Sequence, residues 1–222
     1  MSSEGGMLNL AGPVFLSGSP LDRAAAAMIL IHGRGAAARD ILTLVPPLGD
    51  PDFAYLAPQA PGNAWYPLPF TAPLQDNEPY LSSSLALIAE VVSHLAGAGF
   101  PSERIVLLGF SQGACLTLEY AARNARRYGA VVGLSGGLIG PDGLQRDDRG
   151  SLDGSPVFLG CSDVDPHIAK HRVQHAAEVL GRLGGDVTAR LYPGMGHTTN
   201  QDEIDAVRGL MASVKASSAA KG

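Results

Sequence analysis

The strongest chemical signal in the sequence is a serine flanked by glycines. Ser111 lies in the run GFSQG at residues 109–113, which fits the pattern G-x-S-x-G. An apolar run at 105–108 comes directly before it, and a helical pattern follows it. A sharp turn between a strand and a helix holds a serine hydroxyl exposed at the helix N-terminus. The pattern therefore predicts Ser111 as a nucleophile for acyl transfer.

A serine hydroxyl needs a neighbouring base, and four histidines follow Ser111 in the chain. His197 ends the glycine-rich run PGMGH at 193–197, after the last apolar run. The other three share one predicted helix: His167, His171 and His175. Histidines four residues apart on a helix can bind zinc, but Lys170 and Arg172 flank them and favour a solvated helix face. We predict His197 as the base and no metal site.

The acid that orients the base should follow the preceding apolar run. The loop at 161–167 reads CSDVDPH and offers two carboxylates, Asp163 and Asp165. Either could hold the imidazole tautomer. Asp165 precedes Pro166, where the chain is kept extended, whereas Asp163 could cap or brace the loop. The residues alone favour Asp165 only slightly.

Acyl transfer also needs two backbone N–H donors aimed at the developing oxyanion. One donor follows the nucleophile, and the other comes from the loop after the first core strand, here HGRG at 32–35. These positions are Gln112 and Arg34. Gly33 allows close approach of the substrate, and His32 is predicted to be structural. The Arg34 side chain either points to solvent or meets an anionic group of the substrate.

A long segment, residues 57–80, carries an unusual share of the aromatic side chains. It holds the only tryptophan, and loops of this length are commonly functional. One hypothesis is that Trp65, Tyr66 and Phe70 wall an acyl or aromatic pocket, with His167 at its border. The equally open alternative is that the aromatics pin the segment to the body. Glu78 could bind the substrate or Arg34, or lie exposed where a helix begins.

Short apolar runs alternate with helical patterns along most of the chain. The predicted strands are 26–31, 53–57, 105–108, 130–134, 156–159 and 187–192. The predicted helices are 38–48, 82–98, 112–127, 167–183 and 202–214. Such alternation predicts an α/β fold, with a mostly parallel sheet covered by helices on both faces. Active groups then collect beyond the strand C-termini, where each of these motifs lies.

Length and composition limit the number of domains, the kind of partner and the location of the protein. The 222 residues predict a single domain without a separate cap, an N-terminal extension or edge strand at about 1–20, and a flexible tail at about 215–222. A net charge of −5 without a basic cluster argues against a nucleic-acid partner. We expect no signal peptide and no apolar segment as long as a membrane span, hence no stable membrane insertion. Two cysteines in apolar contexts indicate buried thiols and a cytoplasmic location.

Four segments together resemble the phospholipase/carboxylesterase family of α/β-hydrolases, which includes acyl-protein thioesterases and small bacterial carboxylesterases. They are residues 32–35, 109–113, 163–166 and 194–197, and the resemblance spans about 25 to 210. It implies an α/β-hydrolase fold, with Asp165, directly before the proline, as the acid. It also implies Arg34 and Gln112 as oxyanion donors. Acyl-protein thioesterases usually have an apolar residue where Arg34 stands.

The sequence thus predicts a serine carboxylesterase that hydrolyses a small ester or thioester through an acyl-Ser111 intermediate, without a cofactor. An acyl-protein thioesterase or lysophospholipase is one alternative within the same chemistry. A non-catalytic binding protein on a hydrolase fold is the alternative from another class. The sequence leaves a homodimer open.

Overall fold

The computed structural model describes residues 6–219, and all of its strands belong to one eight-stranded sheet. The strands are β1 (Met7–Asn9), β2 (Pro13–Gly18), β3 (Ala26–Ile31), β4 (Phe53–Pro58), β5 (Ile105–Phe110), β6 (Ala130–Leu134), β7 (Pro156–Ser162) and β8 (Asp186–Tyr192). Their order across the sheet is β1-β2-β4-β3-β5-β6-β7-β8. The pairs β1–β2 and β2–β4 are antiparallel, and every pair from β4 to β8 is parallel.

Helices cover both faces of this sheet. They are α1 (Ala38–Ile41), α2 (Val45–Leu48), α3 (Tyr80–Gly97), α4 (Gln112–Arg123), α5 (Lys170–Arg182) and α6 (Gln201–Ala219). Alternate residues of β3 serve the two faces, as the period of two in a strand requires. Ile29 and Ile31 belong to the buried cluster that includes residues of α3, α4 and α5, whereas Met28 and Leu30 belong to the cluster that includes residues of α1, α2 and α6. Burial on both faces explains why the central strands read as unbroken apolar runs.

All of the predicted strands and helices are present, but several begin or end at other residues than predicted. The predicted helix 167–183 begins only at Lys170. The backbone N–H groups of His167 and Ile168 instead donate to the Asp165 carboxylate at 2.8 and 3.0 Å. The predicted helix 82–98 begins earlier, at Tyr80. The predicted helix 38–48 is divided into α1, a 3₁₀ turn and α2.

The described residues near both ends of the chain belong to regular elements of the fold. Residues 7–18 form the antiparallel edge of the sheet, which agrees with the predicted edge strand. Of the tail predicted at about 215–222, residues 215–219 lie in α6, which continues to Ala219. Val214 is buried, and Lys215 Nζ lies 3.0 Å from Asp50 and 2.6 Å from Asp52, which ties this last part of the helix to the body. Residues 1–5 and 220–222 lie outside the described part of the chain.

Helix α3 is long and apolar enough, by length and composition, to cross a membrane. Its mean hydropathy is 1.2 over 18 residues, so the expectation that no segment reaches this length is wrong. A core helix of a soluble protein passes the same test, which makes this weak evidence for a membrane span. Leu81, Ile88 and Leu95 belong to the buried cluster on one face of the sheet. The apolar character of α3 is therefore explained in part by packing.

Strands β6 and β7 are joined by a long connection. Residues 135–155 form turns and one isolated bridge, between Ala125 and Gly150, and contain no helix or strand. The predicted α/β-hydrolase fold without a separate cap domain is confirmed.

Candidate active site

Ser111 occupies the sharp turn between β5 and α4. Its backbone has φ 55° and ψ −122°, a conformation that costs energy for a residue with a side chain. Its N–H donates to Leu134 O at 2.9 Å. A Cβ at Gly109 would lie 2.2 Å from the Gly113 carbonyl oxygen, and a Cβ at Gly113 would lie 2.1 Å from Ile31 O. The turn therefore requires glycine at both positions.

The structure brings the predicted nucleophile, base and acid together. His197 Nε2 lies 2.8 Å from Ser111 Oγ, and His197 Nδ1 lies 2.7 Å from Asp165 Oδ2. Ser111 follows β5, Asp165 follows β7, and His197 lies in the loop between β8 and α6. The Asp165 side chain is fully buried, whereas the His197 side chain is 19% exposed. The imidazole is thus open to a substrate while its carboxylate partner is shielded from water.

The surroundings of Asp165 keep it ionised. Burial alone would raise the pKa of this carboxyl, but hydrogen bonds from His197 and from the N–H groups of His167 and Ile168 outweigh it and leave the pKa lowered. An ionised Asp165 accepts a hydrogen bond from the Nδ1–H group of His197. The lone pair on Nε2 then faces the Ser111 hydroxyl, which is the arrangement that general-base catalysis needs.

Asp163, the other candidate acid, has a different position. Its Oδ1 accepts a hydrogen bond of 2.8 Å from Gly194 N, at the start of the loop that carries His197. The end of the same loop is held by a reciprocal pair, in which Asn200 N donates to Glu203 and Glu203 N donates to Asn200, both at 2.9 Å. Asp163 therefore braces the base instead of contacting it.

The predicted oxyanion donors border Ser111. No hydrogen bond within residues 6–219 uses the backbone N–H of Arg34 or of Gln112, whereas the N–H of Gly35 donates to Asn63 O at 2.7 Å. Gly33 lies so close that a Cβ on it would be 3.3 Å from Ser111 Cβ. Arg34, in the loop after β3, and Gln112, at the start of α4, both line the same cavity as Ser111.

Residues 65–70, which we call the strap, pass beside Ser111, and the side chain of Gln112 holds their first part. Gln112 Oε1 accepts a hydrogen bond from Trp65 N at 3.0 Å, and Gln112 Nε2 donates to Tyr66 O at 2.8 Å. Gln112 is buried, so these bonds are shielded from water. The side chain of Gln112, a predicted oxyanion donor, therefore fixes the strap.

Arg34 holds the next part of the strap in the same way. Its guanidinium donates to Pro67 O at 2.9 Å and to Leu68 O at 2.8 Å. The side chain is thus neither free in solvent nor paired with Glu78. The Glu78 carboxylate accepts bonds from Ser82 N at 3.0 Å and Ser82 Oγ at 2.8 Å. Glu78 is therefore the exposed carboxylate where α3 begins, which was one of its predicted roles.

Asn77 also anchors the strap, a role that nothing in the sequence indicated. The side chain is fully buried, accepts from Leu68 N at 2.9 Å and donates to Pro69 O at 3.3 Å. A lone asparagine ahead of Glu78 gives no periodic or motif signal. Only the course of the strap shows what it binds.

A cavity of about 560 Å³, which we call the aromatic cavity, opens beside Ser111. Tyr66, Phe70 and Ile168 contribute its apolar walls, and Cys115 also lines it. His167 lies at its border, where its ring meets the His197 ring edge-on with centroids 4.8 Å apart. Tyr66, Phe70 and His167 therefore all lie at the cavity beside Ser111.

Trp65 is not among the residues that line the aromatic cavity. Its side chain is buried, and Nε1 donates to His32 O at 2.8 Å. The pinning alternative describes this residue. His32 is structural, as predicted. Its Nδ1 contacts Gly33 O at 2.8 Å, its Nε2 accepts from Ala60 N at 3.1 Å, and burial lowers its pKa, so the ring is neutral.

Among residues 6–219, no group of three or more His, Cys, Asp or Glu side chains could hold a metal ion. On the predicted histidine face of α5, His171 Nε2 lies 3.4 Å from Asp142 at the surface.

The sheet order and the strand-turn-helix at Ser111 define an α/β-hydrolase. A family model described as Phospholipase/Carboxylesterase matches residues 17–214, and the chain belongs to this family. A crystal structure of a phospholipase/carboxylesterase from Dyadobacter fermentans is 43% identical, with a TM-score of 0.86, over 90% of this chain and 95% of that chain. The predicted family and the hydrolase class of enzyme are thereby confirmed.

Curated relatives match over a shorter span. Acyl-protein thioesterase 1 of Gibberella zeae is 34% identical over 118 residues, which is 51% of this chain and 49% of that protein. Acyl-protein thioesterase 1 of Saccharomyces cerevisiae is 31% identical over 130 residues, 55% of each chain. The chain thus spans about half the length of the curated relatives it matches.

Proposed function

We propose that this protein is a serine carboxylesterase that hydrolyses a carboxylic ester through an acyl-Ser111 intermediate. The observation that carries the proposal is the chain of hydrogen bonds from Asp165 through His197 to Ser111, at 2.7 and 2.8 Å. Membership of a hydrolase family supports it. The substrate is a small molecule, and the net charge of −5 gives no reason to expect a nucleic-acid partner.

The first half of the reaction forms the acyl-enzyme. As Ser111 Oγ attacks the carbonyl carbon, its proton passes to His197 Nε2. The carbonyl oxygen becomes an oxyanion, which receives hydrogen bonds from the N–H groups of Arg34 and Gln112. His197 then gives the proton to the alcohol oxygen as the carbon–oxygen bond breaks. Asp165 remains ionised and stabilises the imidazolium.

The second half releases the acid. His197 takes a proton from a water molecule, whose oxygen attacks the acyl carbon, and the same N–H donors hold the second oxyanion. The bond to Ser111 Oγ breaks, and Oγ regains the proton from His197. Every proton moves between His197, Ser111, water and substrate, so the route uses the chain's own groups and no cofactor.

The aromatic cavity is the proposed acyl site. Its volume of about 560 Å³ lies within the usual range of small-molecule pockets, and Tyr66, Phe70 and Ile168 make its walls apolar. Hydrolysis of a thioester is the second candidate activity, because the matched curated relatives are named acyl-protein thioesterases. The acyl-enzyme and the oxyanion are the same for both, so only the leaving group differs.

The two cysteines support a reducing, cytoplasmic location. Cys115 and Cys161 are both free and buried. Burial raises the pKa of the Cys115 thiol to about 11 and that of Cys161 to about 12, so neither is a competing nucleophile at neutral pH.

The activity is tested by covalent labelling and by a substrate series. A fluorophosphonate probe should modify Ser111 in the folded protein, with the adduct located by peptide mass spectrometry, and Ser111→Ala should take up no probe. The kcat/KM values for p-nitrophenyl esters from acetate to palmitate then give the preference for acyl-chain length. An acyl thioester measured beside them compares ester with thioester hydrolysis. A folded wild-type protein that forms no adduct at Ser111 would instead be a binding protein on a hydrolase fold.

A further inference from the structure

A second cleft, of about 330 Å³, opens on another side of His197. We call it the threonine cleft, because the hydroxyl residues Thr43, Thr198 and Thr199 line it together with Asp40. His197 lines both this cleft and the aromatic cavity, whereas Ser111 and Gln112 line only the aromatic cavity.

Different rings accompany His197 in the two spaces. His167 borders the aromatic cavity, with its ring centroid 4.8 Å from that of His197. Phe110 borders the threonine cleft, with a centroid distance of 5.0 Å. Gly33, next to the predicted oxyanion donor Arg34, also lines the threonine cleft, so this space reaches the reacting centre. An ester bound at Ser111 therefore has two spaces for its two ends.

The threonine cleft has apolar walls as well, which are Ile41, Leu44 and Phe110. What distinguishes it from the aromatic cavity is its carboxylate and hydroxyl groups. Asp40 is exposed, and its Oδ2 accepts a hydrogen bond of 2.7 Å from Ala37 N, which leaves Oδ1 available. Thr43 Oγ1 donates to the Asp40 carbonyl at 2.6 Å, so its lone pairs remain free to accept. Hydroxyl groups and one carboxylate suit a polar or positively charged group, whereas the aromatic cavity suits an apolar one.

The reaction itself decides which end goes where. The acyl group stays on Ser111 after the first half of the reaction, and the aromatic cavity is the space that Ser111 lines. The leaving oxygen must lie beside His197 Nε2, which gives it a proton as the carbon–oxygen bond breaks. We infer that the threonine cleft binds the leaving alcohol, and that it favours small alcohols bearing a positive charge or a further hydroxyl. This inference rests on the proposed function, and specifies one half of its substrate.

Charge in the cleft is tested with two butyrate esters of nearly equal shape, 2-(trimethylammonio)ethyl butyrate and 3,3-dimethylbutyl butyrate. Asp40→Asn removes the charge but keeps an oxygen that can accept from Ala37 N. For an exposed charge we expect the ratio of kcat/KM between the cationic and the neutral ester to fall about 2- to 5-fold. Glu178→Gln removes an exposed carboxylate on α5, away from the cleft, and should leave the ratio as in wild type.

Space in the cleft is tested with Ala36→Leu, because Ala36 lines it and is half-buried. This variant should raise KM for esters of bulky alcohols. The alcohol has left before water attacks, so the deacylation rate constant from p-nitrophenyl butyrate bursts should not change, nor should the order of preference among acyl lengths.

Two results would overturn the inference. In one, the variants alter acyl-length preference or deacylation but not alcohol preference, which would make the cleft an acyl site. In the other, both variants behave as wild type with every alcohol. Failure of the proposed function is seen separately, as the absence of a burst and of a Ser111 adduct with any ester.

Discussion

At the scale of single residues, two aspartates two positions apart are held in different ways. Asp165 contacts the His197 ring, and Asp163 contacts only the backbone that carries it. Asp165→Asn cannot accept from Nδ1 as a carboxylate does, so the wrong tautomer is favoured. We expect kcat to fall on the order of 10³–10⁴-fold with little change in KM. Steady-state kinetics with p-nitrophenyl butyrate measures this.

Asp163→Asn is the matched control. It removes a charge from the same loop but leaves the Asp165–His197 contact in place, so we expect a loss of less than about 10-fold. If both variants lost activity equally, Asp165 would not be the residue that orients the base.

Glu203 is a buried carboxyl that the proposed reaction does not use. Its Oε2 accepts from Asn200 N, and its Oε1 has no hydrogen-bond partner in the described part of the chain. Burial raises its pKa from 4.5 to about 7. Between pH 4.5 and pH 7, Glu203 keeps its proton in the folded state but loses it in the unfolded state. The contribution of Glu203 to the free energy of unfolding therefore falls as pH rises through this range.

Glu203→Gln should remove that pH dependence. The variant keeps an acceptor for Asn200 N, and we expect its free energy of unfolding to exceed that of wild type by about 1–3 kcal/mol at pH 8, and by much less at pH 5. Urea unfolding at both pH values measures the difference. Glu178→Gln, which changes an exposed carboxylate on α5, should follow wild type. If the free energy of unfolding changed equally between pH 5 and pH 8 for wild type and Glu203→Gln, the raised pKa of Glu203 would be contradicted.

At the scale of elements, the strap is held by side chains from separate parts of the chain, which are Arg34, Asn77, Ser84 and Gln112. Arg34→Met keeps the backbone N–H of residue 34 but removes the donors to the carbonyls of Pro67 and Leu68. Because the strap walls the aromatic cavity, we expect KM for p-nitrophenyl octanoate to rise about 3- to 10-fold, since each lost bond is worth on the order of 1 kcal/mol. The KM for p-nitrophenyl acetate should change little, because the acetyl group does not fill the cavity.

Arg39→Met removes a similar charge from the exposed surface of α1 and should leave both KM values unchanged. An equal rise for acetate and octanoate in Arg34→Met would show that Arg34 acts on the reacting centre and not on the cavity wall.

The strap also marks the limit of prediction from sequence. The Ser111 turn was predictable because two glycines, a preceding apolar strand and a following helix all lie within one short segment. Asn77 and the position of Trp65 were not, because they depend on bonds between a side chain and backbone groups elsewhere: Trp65 N reaches Gln112, 47 residues away. Helix α6 outlasts its predicted end for a similar reason, since Lys215 pairs with Asp50, 165 residues away.

At the scale of the whole molecule, the parallel part of the sheet delivers the site. The Gly33 loop follows β3, the strap follows β4, Ser111 follows β5, Asp165 follows β7 and His197 follows β8. In a parallel sheet these strand ends share one edge, so residues spread over most of the chain meet there. The alternation of strand and helix patterns was enough to predict this meeting without any contact being known.

The same arrangement leaves the site open to solvent. Ser111 is half-buried and the His197 side chain is 19% exposed, with the turns of residues 135–155 lying between β6 and β7. Substrate access then requires no lid to move. We expect hydrolysis of p-nitrophenyl butyrate to follow simple saturation kinetics and to change by less than about 2-fold as a neutral detergent passes its critical micelle concentration. Initial rates across a detergent series measure this, with Glu178→Gln as a surface control. A several-fold increase at the micelle concentration would mean that a segment covering the site is displaced at an interface.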